Sequence, residues 1–350
     1  MGNIIIDGHN DTLLKLIQQE QPVEEAFLQG SSSMHLDLPR ALQHQLKAGF
    51  FAVFSPPAKK MKKPEDFMTN SGYKMPLPEA ETYEYSHRIT NQMIANLFRL
   101  ERQSKGKFKV VRSVEELRKN MKQPSLSAIL HMEGAEAIDK DLNALHVYHQ
   151  AGLRSLGLVW SRGNIFAEGV PYIYPSSPDT GPGLTELGKK LVRECNTLGI
   201  MLDQSHMNER GFWDTAKLTN APLVATHSNA HALCPISRNL TDKQLDAIAE
   251  SNGVAGVTYS INMLQGDAKI PAETPIEEIV KHIQYIADRI GVEHVALGSD
   301  FDGTTVPAEL KDISGVDKLT SQLKASGFDE ESLRKITHGN WLRVLEETWK

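Results

Sequence analysis

The side chains best suited to chemistry fall in five short clusters. The first is Asp7, His9 and Asp11 in "DGHND"; the second is His131 and Glu133 in "HMEG". Asp203 and His206 follow in "DQSH", His227 and His231 in "THSNAH", and Asp300 and Asp302 in "SDFDG". Imidazoles mixed with carboxylates suit zinc or a similar divalent ion, and one carboxylate can bridge two ions. Two such ions a few ångströms apart hold a hydroxide at neutral pH and polarise a carbonyl oxygen. His9 and Asp11, like His131 and Glu133, are two residues apart, the spacing that puts two side chains on one side of an extended strand.

These clusters need elements to position them. Each follows a short apolar run, and eight such runs read as strands: 4–6, 50–54, 128–131, 155–159, 200–203, 223–226, 254–257 and 295–298. Helical spacing fills the gaps at 79–101, 114–120, 142–151, 185–198, 209–218, 242–250 and 276–290, and continues at 316–325, 330–336 and 341–349. Thr241 stands three residues before Gln244, as in a capping box. Eight strands alternating with helices predict a parallel α/β sheet, and at this length a closed (β/α)8 TIM barrel rather than an open doubly wound sheet. No GxGxxG opens a helix after the first strand, which also argues against a dinucleotide fold. Barrel enzymes place their chemistry where strands end, and five of the eight strand ends here carry histidine or carboxylate.

Singly, each cluster has a plainer reading. His9 and Asp11 could form a capped turn, Glu133 a helix start, and Asp300 an Asx turn. His206 could cap or pack, and His227 could be a satisfied core histidine. Jointly the plain readings require one barrel mouth to absorb all these groups without function. His131 reads as a packing or supporting group, and Asp203 and Asp7 as hydrogen-bonded supports.

The 350 residues are 40% hydrophobic and 23% charged, enough apolar content for one barrel domain spanning 1–350. Residues 55–78, rich in Pro and Lys, are expected to form a long loop or lid after the second strand, and 315–350 to add helices packing on the barrel. A net charge of −6 argues against nucleic-acid binding; the lysines from 59 to 63 read as a solvated loop. Two isolated cysteines, no apolar run of 18 residues and no room for a signal peptide before residue 4 lead us to expect a cytoplasmic protein with no membrane segment.

The sequence resembles the membrane (renal-type) dipeptidase family, the M19 metallopeptidases, in its bacterial branch. The resemblance is carried, in order, by "DGHNDTLLKL", "HMEGAEAI", "GLRSLGLVWSRGN", the long stretch from Gly183 to Val257, "VALGSDFDG" and "GNWLRVLEE". It implies a (β/α)8 barrel with two zinc ions and hydrolysis of dipeptides by a metal-bridging hydroxide. His9 and Asp11 match the ligands of one metal, Glu133 the bridging carboxylate, and His206 and His227 the ligands of the second. Asp300 matches the acid that handles the protons of the attacking water and the leaving amine. Arg238 matches the arginine that holds the substrate's C-terminal carboxylate, a partner that guanidinium forks onto with two hydrogen bonds. The resemblance also implies a homodimer. The animal enzymes carry a substrate-carbonyl histidine where Trp160 stands here, which leaves oxyanion stabilisation to the metal, Arg162 or Asn164. The animal family's signal peptide and lipid-anchor signal are also absent, so the membrane association is not expected to transfer. The alternatives are a barrel metal hydrolase of another amide class, such as an N-acyl amino acid deacylase, and a non-catalytic metal-dependent binding protein.

Overall fold

The computed structural model describes residues 4–59, 64–69, 71–266 and 273–349. Eight parallel strands follow one another around a barrel: β1 (Ile5–Asn10), β2 (Leu46–Phe54), β3 (Leu126–Glu133), β4 (Leu153–Gly157), β5 (Met201–Asp203), β6 (Val224–Ala225), β7 (Val254–Val257) and β8 (Val295–Leu297). A parallel bridge between Asn10 and Phe301, with the Asp11 amide donating to the Phe301 carbonyl at 2.8 Å, draws β8 back to β1 and nearly closes the ring. The eight expected strands are these eight. A ninth, Phe108–Val110, pairs in parallel with the first three residues of β3 and is too short to show a period in sequence.

Inward residues at the lower level are apolar: Ile6, Ala48, Phe50, Ile129, Met201, Val224, Val254 and Ala296. Trp341, on the C-terminal helix Asn340–Thr348, enters this layer fully buried and donates from Nε1 to the Leu297 carbonyl at 3.0 Å. Gly8 makes room for it, since a Cβ there would lie 2.3 Å from Trp341 Cζ2. The bottom of the barrel is thus plugged by indole, and the open end is the one where strands finish.

The helices hold the barrel from outside, their apolar faces in one continuous core with the outward residues of the strands. Thr241 and Gln244 form the expected capping box at the start of Asp242–Glu250. Three short helices between β1 and β2, Thr12–Gln18, Val23–Leu28 and Leu38–Gln43, have no counterpart in the sequence reading; each is seven residues or fewer, too short for a periodic signal. In the 55–78 segment, 60–63 and 70 lie outside the described residues. The remainder includes a small hairpin, Met68–Thr69 with Gly72–Lys74, which pairs antiparallel with Ile173–Tyr174 from the loop after β4.

Candidate metal centre

A register shift delivers the first candidate ligand. Asp7 pairs with Gly49 but Asn10 pairs with Phe51, so β1 carries one extra residue between those points. Such a bulge re-aims side chains: Gly8 faces Trp341, and His9, the next residue, faces inward too, against His131 and His227 with ring centroids 5.2 and 3.8 Å away. On β3 the alternation is regular, and Ile129, His131 and Glu133 share the inner face. Asp11 precedes the helix Thr12–Gln18. His206 and His227 follow β5 and β6, and Asp300 follows β8 at φ 60°.

These side chains converge. Glu133 Oε1 lies 3.0 Å from His206 Nε2 and 3.5 Å from His227 Nε2, while Oε2 lies 3.8 Å from His9 Nε2. Asp11 Oδ2 is 3.8 Å from the same His9 nitrogen. Asp300 and Asp11 share a site with His9, their ligand atoms all within 4.8 Å of one another. Gly303 is needed beneath them, because a Cβ would sit 2.0 Å from Asp11 Oδ2 and 2.5 Å from Asp300 Oδ1. Two carboxylates so close repel each other, and His9 Nδ1, His9 Nε2 and Asp11 Oδ1 are buried without a hydrogen-bond partner. Unsatisfied groups of this kind are costly unless something binds them.

The electrostatics agree. Burial opposes a charge on His9, yet Glu133, Asp11 and Asp300 outweigh it and raise its pKa to about 10. Burial, with Asp11 and Asp300 adding to it and His9 opposing, pushes Glu133 well above the carboxylate range. Asp300, pushed by burial and then by Asp11, sits at about 7. Burial, together with the positive charge of Arg238 and His9, holds His206 and His227 neutral, the form in which imidazole binds metal. A pocket of three carboxylates that draws a proton onto a buried histidine calls for positive charge, and the donor set fits divalent cations.

A polar layer orients the imidazoles. Ser161 Oγ is 2.8 Å from His206 Nδ1, and Thr226 Oγ1 is 2.8 Å from His227 Nδ1 while donating to Asp203 Oδ2 at 2.6 Å. Both Nε2 atoms are thereby aimed at Glu133. Asp203 is the support expected of it, also accepting from the Thr226 and Ser205 amides and the Ser205 hydroxyl. Asp7 accepts from the Ser299 amide and hydroxyl. His131 lies under His9, with Nδ1 on Ser155 Oγ at 2.8 Å and Nε2 3.6 Å from Asp203. His231 bonds the Ser176 carbonyl, away from the cluster.

Arg238 is buried beside the imidazoles, with Nε 3.2 Å from His206 Nδ1, Nη1 donating to Ser228 Oγ and Nη2 to the His227 carbonyl. Trp160 stands against His206 and Phe54, ring centroids 6.0 and 5.1 Å apart. Asn164 is turned away: its amide donates to the Leu158 carbonyl and accepts from the Phe166 and Ala167 amides. Arg162 is fully buried behind Trp160, paired with Glu136 at 3.0 Å and bonded to the Ser55 carbonyl. Ser161 and Thr226, which orient the imidazoles, were not among the expected residues. Both sit directly beside a named residue, which is the one signal available.

Comparison with known proteins agrees with this architecture. A Rhodobacter sphaeroides metallopeptidase, whose crystal structure carries a phosphinate mimic of the dipeptide L-Ala-D-Ala, superposes with a TM-score of 0.96 at 46% identity, covering 100% of both chains. Dipeptidase AC, a metallopeptidase of family M19, superposes at 0.94 with 45% identity, covering 100% of this chain and 99% of its own. A Klebsiella pneumoniae protein described as an "uncharacterized protein in pqqA 5'region" is 46% identical over 259 residues, 74% of this chain and 96% of that one. The sequence profile of the membrane dipeptidases, peptidase family M19, matches residues 2–350. The chain belongs to this family of metallopeptidases, hydrolases acting on peptide bonds.

Proposed function

We propose that this protein is a dinuclear zinc dipeptidase that hydrolyses dipeptides with a free C-terminal carboxylate. The observation that carries the reading is the division of Glu133, one oxygen toward His9 and the other toward His206 and His227. His9, Asp11 and Glu133 would hold one ion, and Glu133, His206 and His227 the other. When bound, the ions supply a hydroxide nucleophile at neutral pH and polarise the scissile carbonyl.

The chain's own residues do the rest. Arg238 binds the substrate carboxylate beside the cluster, which fixes the amide over Glu133. Asp300, whose carboxylate shares the cluster with His9 and Asp11, accepts a proton of the attacking water and returns it to the leaving nitrogen. Trp160 and Phe54 wall the site. The Rhodobacter sphaeroides relative's phosphinate dipeptide mimic supports this substrate class. The test is turnover of the zinc-loaded protein on free dipeptides, L-Ala-D-Ala among them, against N-acetylated amino acids. Hydrolysis of the dipeptides is expected. Preference for the N-acetyl compounds would favour a deacylase, and tight dipeptide binding without turnover a binding protein.

A further inference from the structure

We propose that Asp302 is a positioning residue for the reaction: it aims Asp300 by locking the turn after β8 to the chain between β1 and β2. The role rests on the dipeptidase reading above, with Asp300 as proton carrier. Asp300 and Asp302 both have left-handed backbone, at φ 60° and 68°. That conformation is costly for any residue but glycine and persists only where the surroundings impose it. Two such residues within three make a turn that relaxes when released.

The first half of the turn is fixed by β1. The Asp300 amide donates to the His9 carbonyl at 3.0 Å, the Phe301 carbonyl accepts from the Asp11 amide at 2.8 Å, and the buried Phe301 ring packs against Tyr259 and His35. The next ties are made by Asp302. Its Oδ1 accepts from the His35 amide at 2.7 Å and its Oδ2 from the Thr12 hydroxyl at 3.1 Å, while its own amide donates to His35 Nδ1 at 3.0 Å. Both anchors are firm. Thr12 follows Asp11 at the start of its helix, and His35 stands between the buried Met34 and Leu36, in a segment whose Ser31 and Met34 carbonyls accept from Arg40. The link back to Asp300 runs through Gly303, whose amide donates to the Asp300 carbonyl at 3.2 Å. Gly303 lies so close beneath the carboxylates that a Cβ there would be 2.5 Å from Asp300 Oδ1. Where Asp302 holds the chain therefore sets where Gly303 sits, and Gly303 limits where the Asp300 carboxylate can lie. A proton carrier must reach both the attacking water and the leaving nitrogen, and a misplacement of about 1 Å can cost about 10²-fold in rate.

The test compares Asp302→Gly and Asp302→Asn with wild type and Asp300→Asn in the zinc-loaded full chain, with kcat, KM, metal content and thermal midpoint measured for each. Glycine adopts a positive φ freely, so Asp302→Gly removes the side-chain ties and adds no backbone strain. Asparagine also tolerates that backbone and restores the ties, its Oδ1 accepting from the His35 amide and its Nδ2 donating to Thr12 Oγ1. Asp302→Gly should lower kcat about 10²-fold, with KM within about threefold and metal content unchanged. Asp302→Asn should stay within about fivefold of wild type. Because the effect passes through Asp300, adding Asp302→Gly to Asp300→Asn should lower kcat less than about threefold further, whereas a merely structural role would multiply the two losses. Should Asp302→Gly fail to fold, Thr12→Val, which deletes one tie and keeps the shape, should lower kcat by about three- to tenfold, and a kcat within twofold would overturn the proposal. So would a kcat of Asp302→Gly within threefold of wild type, a loss matched by missing metal, an equal loss in Asp302→Asn, or losses that multiply. If wild-type protein hydrolyses no dipeptide, or Asp300→Asn turns over like wild type, the functional reading fails and this role with it; if Asp300→Asn is impaired and Asp302→Gly is not, only the role of Asp302 fails.

Discussion

Replacing Thr226 by Val tests whether the layer beneath the metal centre tunes it. The exchange keeps the β-branched shape and deletes one hydroxyl. That hydroxyl lies 2.8 Å from His227 Nδ1 and donates to Asp203 at 2.6 Å. Without it, Nδ1–H faces a methyl group in a buried site, and the imidazole loses what holds Nε2 toward Glu133. An unsatisfied buried donor costs about 1–3 kcal/mol, and loss of such an outer partner weakens metal binding by about 10–100-fold. The fold should survive, because Asp203 still accepts from the Thr226 amide at 2.8 Å, the Ser205 amide at 3.0 Å and the Ser205 hydroxyl at 2.7 Å. The assay is chelator competition at fixed pH on the metal-loaded protein, with circular dichroism to confirm folding. Thr226→Ser, which keeps the hydroxyl, should bind metal like wild type. If Thr226→Val binds metal within twofold of wild type, or Thr226→Ser is equally impaired, the reasoning is wrong.

Three further outcomes follow from the same geometry. Arg238→Lys keeps the charge but loses the fork, and KM for free dipeptides should rise tenfold or more, while KM for their methyl esters stays put; equal effects on both would remove Arg238 from carboxylate binding. Asp300→Asn should lower kcat by about 10²–10⁴-fold with metal content unchanged, and a kcat within fivefold would exclude Asp300 as the proton carrier. His282 accepts from the Ala230 amide and donates to the Leu264 carbonyl, and burial lowers its pKa to about 4. A depressed histidine stabilises the fold above its ordinary pKa of 6.5 and loses that contribution as pH falls toward 4. At about 1.4 kcal/mol per unit this is roughly 3 kcal/mol. The stability advantage of wild type over His282→Asn, read by urea unfolding, should therefore shrink between pH 6.5 and 4; a constant difference would contradict it.

Much of the barrel was readable because its signals are local. Apolar runs mark strands, the Thr241–Gln244 pair marks a helix start, and histidines and acids collect at strand ends because that is where a barrel opens. The short helices from 12 to 43 and the strand Phe108–Val110 were not readable, since a few residues carry no period. Asn164 shows the opposite problem. Its residue type suits an oxyanion donor, but its amide is engaged by the backbone of its own turn.

The sequence by itself determined which histidines and acids are candidate ligands, their order and the strand after which each is delivered, because those depend on residue identity and on a strand's two-residue period. Only the tertiary structure decided where they point. The extra residue in β1 turns His9 inward, a matter of register with β2 that β1 alone does not encode. The same holds for Thr226 beneath His227, and for the loop at Ile173, which is tied to Ser237, 64 residues further along the chain. Contacts at that separation are set by packing and by the need to satisfy buried polar groups, and no local pattern records them.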